Sequence, residues 1–166
     1  MASKVPFAKQ QTNWLALIPI LLVLGILCLC FYQIDKQNFW LIALFVYMML
    51  RQLTRFLFFP NAIFEGIKLI KNEKFMEAIP FFQETIGYYT KNHWIDEYRF
   101  FLLISSAKSS IKESSICNLA YCYLQTGDVK KAKEIYQDVL LEYPENINAR
   151  SMLNTINLIA SNTAAN

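Results

Sequence analysis

The stretch Glu113–Asn146 decides the fold: ESSICNLAYCYLQTGDVKKAKEIYQDVLLEYPEN. Across these 34 residues, Leu119-Ala120, Tyr123, Gly127, Ala132, Tyr136, Val139 and Pro144 fall at intervals that suit two antiparallel helices. Ala120 and Ala132 are small, so the helices can approach closely, and Tyr123 and Tyr136 fill the space beside them. Gly127-Asp128 makes the turn, with Asp128 as N-cap of the second helix. Pro144 stops that helix. Upstream, Ser110 and Glu113 have the spacing of a capping box.

This unit resembles a tetratricopeptide repeat, a helix–turn–helix module with a period of about 34 residues. It departs from the family at Ile116, often Trp, and at Val139, often Ala. A degenerate copy lies 54 residues earlier: Gly66 matches Ala120, Leu69 matches Tyr123, Phe75 matches Val129, Ala78 matches Ala132 and Phe82 matches Tyr136. That copy lacks the final proline, and Pro80 is expected in about the first turn of its second helix. The offset leaves about twenty extra residues between the copies beyond the ~34-residue period. They are expected at 91–110, with Trp94, Tyr98 and the apolar run Phe100–Ile104. Beyond the second copy, Met152, Leu153, Ile156 and Leu158–Ile159 fit a capping helix over 147–160, with Ser161–Asn166 frayed. The predicted fold class is all-α. It has a transmembrane hairpin at 14–59 and a repeat domain at 60–166, with copies at about 60–90 and 113–146. Three stacked repeats normally bury a continuous core; the insertion or pairing with another chain could supply what two lack, but a segment of about 105 residues can fold alone and neither is compelled.

The first third reads as membrane. Trp14 to Tyr32 is 19 residues without a charge, about 28 Å as a helix against a ~30 Å hydrocarbon core. The run is longer than a signal peptide's, and the bulky Phe31–Tyr32–Gln33 offers no cleavage site. A second block, Phe39 to Phe59, carries Arg51 and Arg55 near its end, where they can snorkel; lying in the interface is the alternative. Residues 1–59 hold five basic side chains against Asp35 alone, whereas 60–166 hold 11 basic and 12 acidic ones. The chain's net +3 therefore surrounds the hairpin, which argues against nucleic-acid binding. Only Lys36 lies between the spans, so the segment 1–13 and the repeat domain are expected in the cytoplasm. Residue usage fits a bacterial inner membrane.

No constellation for catalysis is present. His93 is the single histidine, no phosphate loop or metal spacing occurs, and Lys130, Lys131 and Lys133 alternate with acids. The expectation is a non-enzyme without cofactor or metal. The family resemblance implies protein or peptide binding in a groove lined by each unit's first helix. Groove positions would be Ile63, Ile67, Ile70 and Lys71 in the first copy. In the second they would be Ser114, Cys117, Tyr121, Leu124 and Gln125. Apart from Lys71 these are apolar or neutral, which suits a helix or hydrophobic peptide and not a carboxylate clamp. The inserted Trp94–Ile104 segment could instead fill the groove. The functional expectation is a membrane-anchored scaffold or adaptor. The alternative is an accessory subunit of a membrane complex working through the hairpin, with the repeat as a stabilising tail.

Overall fold

A computed structural model describes residues 17–98 and 109–164. Among these the chain is entirely helical. Its eight helices are α1 (Leu17–Tyr32), α2 (Phe39–Phe58), α3 (Asn61–Lys71), α4 (Phe75–Lys91), α5 (His93–Glu97), α6 (Ile111–Gln125), α7 (Val129–Glu142) and α8 (Ile147–Ala164). The described residues fall into two compact units, one of 17–60 with 92–98 and one of 61–91 with 109–164.

In the first unit, α1 and α2 pack together through a tight connection. The Asp35 carboxylate accepts from the backbone N–H of Gln37 at 2.8 Å and of Asn38 at 3.2 Å, and from the Asn38 amide at 3.1 Å. The Gln37 N–H, then the Asn38 amide, hold this carboxyl below its usual range. Tyr32 and Phe39 meet edge to face at 5.4 Å across the turn. Ala43 is the one buried residue of α2, where a small side chain permits close approach. Among the described residues, α2 alone is long and apolar enough to cross a membrane. The 16 described residues of α1 reach only about 24 Å. The expected two-span hairpin is therefore not established. Trp14 and its two neighbours lie outside the described residues.

In the second unit, α3 packs on α4, α4 on α6, α6 on α7 and α7 on α8. The order is that of stacked helix pairs, and α6 meets α4 as a following repeat would. Between them the chain makes its insertion, and α5 groups with the first unit. Helix α4 runs to Lys91, so the extra residues begin at 92, and Phe100–Ile104 lie outside the described residues. The idea that this run fills the groove falls there too.

Two core clusters hold the stack. One gathers Ile70, Ala78, Phe82, Leu119 and Cys122. The other gathers Cys117, Ala120, Tyr136, Val139, Ala149, Leu153 and Ile156. The matched small residues lie at close helix approaches. A Cβ on Gly66 would lie 3.0 Å from Phe82 Cζ, and Ala120 and Ala132 are fully buried. Gly127 takes φ +90°, which favours glycine. The Asp128 carboxylate accepts from the Lys131 N–H at 3.1 Å, and α7 ends two residues before Pro144. Two expectations are corrected. Pro80 lies in the second turn of α4, six residues in, where its ring removes a hydrogen bond to the Met76 carbonyl. It is exposed, and the helix continues past it. The capping helix runs on to Ala164, past the expected end at 160.

Candidate protein-binding face of the repeat

The repeat's first helix begins in a buried polar clasp. The Ser110 hydroxyl accepts from the Glu113 N–H at 3.0 Å, and the Glu113 carboxylate accepts from the Ser110 N–H at 3.0 Å. The other Glu113 oxygen accepts from the Asn146 amide at 2.7 Å, across 33 residues of chain. Asn146 in turn caps α8, its side-chain oxygen accepting from the Ala149 N–H at 2.7 Å. Its amide also donates to Cys117 Sγ at 3.4 Å, and Tyr136 Oη donates to the Cys117 carbonyl at 3.4 Å. Glu113 and Asn146 are both buried, so each fully bonded partner spares the other a desolvated polar group. Sequence reading found the Ser110–Glu113 box and missed Asn146. The signal available was an Asn directly before a helix.

The nine expected groove residues divide three ways. Ile63, Ile70 and Cys117 are buried, so they are packing residues and not groove walls. Ile67, Ser114, Tyr121 and Leu124 are partly buried, and Lys71 and Gln125 are exposed. Ile67 and Tyr121 are brought to one cluster, around Phe82, whereas Leu124 packs against the cluster around Tyr136. The Tyr121 ring meets Phe75 edge to face at 5.8 Å, which fixes its plane. Burial, first, raises the Tyr121 phenol above its ordinary value, so it stays a neutral donor.

The remaining surface carries charges of both signs beside exposed apolar side chains such as Met76, Leu141 and Leu158. Lys74 pairs with Glu77 at 3.1 Å, Lys68 with Glu65 at 3.5 Å, and Lys112 with Glu142 at 2.8 Å. Lys131 Nζ stands 4.1 Å from the centre of the Tyr123 ring, whose hydroxyl takes a 3.5 Å bond from Gln83. That pairing ties the turn of the second repeat to α4 of the first. Burial pushes the Cys117 and Cys122 thiols up to about 12, so neither is a nucleophile at neutral pH. Among the described residues no three His, Cys, Asp or Glu side chains group as metal ligands would.

No curated protein and no solved structure matches the chain. The family model of the tetratricopeptide repeat matches residues 118–146, from the middle of α6 through Asn146. With the turn and the paired helices around it, this segment is similar to a tetratricopeptide repeat, a module that generally mediates protein–protein interaction.

Proposed function

We propose that this chain is a membrane-anchored adaptor whose repeat unit holds a protein partner at the cytoplasmic face. The observation that carries the reading is one chain joining a tetratricopeptide repeat to α2, a 20-residue apolar helix with outward side chains. Twenty helical residues reach about 30 Å, the thickness of the hydrocarbon core. Phe45, Met48 and Leu53 are each more than half exposed, a surface that water disfavours and lipid accepts. Arg51 and Arg55 lie in the last two turns, within snorkelling reach of headgroups. Lys36 alone among basic residues lies in the connection, so the positive balance favours cytoplasmic ends.

Tyr121, Leu124 and Ile67 supply apolar contact on the repeat, and Lys71 and Gln125 supply a polar rim. An apolar helix or peptide suits such a face. A photo-crosslinking residue at Gln125 is expected to capture a discrete partner in intact membranes, and one at Asp138 on α7 is not. Tyr121→Ala with Leu124→Ala is expected to remove the adduct. Equal capture from both positions, or from neither, overturns the binding face. Release of the full chain by alkaline carbonate washing overturns the anchor separately.

A further inference from the structure

The repeat leaves α5 without a role. Helix α6 stacks on α4, and α5 groups with α1 and α2. Ile95 is buried, but the two rings are exposed: Trp94 at 44% and Tyr98, just beyond the helix, at 56%. The Trp94 ring meets Phe58 edge on, with centroids 6.1 Å apart. Phe58 is the last residue of α2. At the opposite end of α2 stands Trp40, 53% exposed, beside the Phe39–Tyr32 ring pair. The 18 steps from Trp40 to Phe58 cover about 27 Å along a helix, close to the ~30 Å hydrocarbon thickness. The apolar helix therefore carries an indole at each end, and one of the two comes from the insertion. Indole and phenol rings favour both membrane boundaries, with an apolar body toward the chains and a polar tip toward headgroups. His93 and Glu97, both exposed on the same short helix, disfavour a deeper position.

We infer that residues 93–98, at the start of the insertion, are a second membrane contact, with Trp94 and Tyr98 seated in the interfacial layer of the bilayer where α2 ends. This rests on the membrane-anchored reading, and the test separates the two. The full chain carries three tryptophans. A Trp94-only form (Trp14→Phe, Trp40→Phe) and a Trp40-only form (Trp14→Phe, Trp94→Phe) are reconstituted into phosphatidylcholine vesicles. The vesicles carry bromine either near the headgroup or at the chain ends. Trp94 is expected to be quenched at least about twofold more by the shallow label, as an interfacial indole is. Trp94 quenched by aqueous iodide and by no lipid, while Trp40 is quenched by lipid, overturns the inference and leaves the anchor intact. Trp94 shielded from both quenchers, with Trp40 still reached by lipid, points to a protein cover and overturns it equally. Neither indole reached by lipid overturns the anchor itself. The difference between wild type and Trp94→Phe alone reads the same depth without altering Trp14 or Trp40.

Discussion

Asn146 joins two helix starts with one side chain, and its replacement tests how far the repeat depends on that link. Asn146→Ala removes the cap of α8, worth about 1 kcal/mol. It also leaves a buried Glu113 oxygen short of a donor, at about 1–3 kcal/mol. The expected loss is about 2–4 kcal/mol in urea unfolding, and Asn146→Ser, which keeps the cap alone, should fall between. An unchanged midpoint for Asn146→Ala would show that water replaces the amide. The capping box was legible because it is a local pattern of three residues' spacing. The Glu113–Asn146 bond was not, because it spans 33 residues and depends on how α6 and α8 meet. Burial also separated the groove residues. Spacing placed Cys117 and Tyr121 on one face of α6, but only packing against residues of α7 and α8, Tyr136 and Ala149 among them, decides that Cys117 lies inside. The buried thiols set a pH window. An unfolded thiol ionises near 9.0, while Cys117 and Cys122 in the fold ionise near 12, because burial disfavours the thiolate. Over that interval the unfolded chain binds fewer protons, so stability is full below 9.0 and falls toward 12. Cys117→Ala with Cys122→Ala should flatten the decline in a pH series of urea midpoints, whatever it costs at neutral pH.

The close approach of α3 and α4 is an element-scale property, concentrated at Gly66. Alanine in a helix interior is favoured over glycine by about 1 kcal/mol, so propensity alone predicts that Gly66→Ala stabilises. The added Cβ would stand 3.0 Å from a Phe82 ring that has no exposed surface and is hemmed in by Ile70, Ala78 and Leu119. Overpacking costs about 1–3 kcal/mol, so the net expectation is a loss of about 1 kcal/mol. Phe82→Leu should relieve the clash, making the double variant less unstable than the two single effects added. Additivity would mean the helices simply move apart. The 54-residue self-match made Gly66 and Phe82 legible as a pair before any coordinates, since small and large residues alternate across facing helices. The continuity of α4 with α6 was not legible, because residue spacing says how long an insertion is and nothing of where it goes.

At the scale of the whole molecule, the split in charge and hydropathy near residue 60 already divided the chain, and one boundary between the two compact units falls along the chain between Pro60 and Asn61. What the pattern could not supply was the allegiance of residues 92–98, whose aromatics suit either a repeat core or a membrane boundary. A division of this kind has an energetic consequence. The backbone bonds of α1 and α2 close within each helix, and their ring pair and Asp35 turn are local. None of these contacts draws on the cluster around Tyr136. Tyr136 is almost wholly buried between Cys117, Ala120 and Val139, so Tyr136→Ala should cost about 3–5 kcal/mol, enough to unfold a repeat unit of marginal stability. The expected outcome in detergent micelles is therefore partial: helicity from the second unit is lost, and limited proteolysis leaves a protected fragment that contains residues 17–58. Hydrogen exchange should report the same boundary, with α3, α4, α6, α7 and α8 exchanging freely while α1 and α2 stay protected. Complete digestion of the variant would mean that the chain folds as one cooperative body and that the anchor and the repeat cannot be varied independently, whereas full protection of all helices would overturn the predicted loss of the repeat.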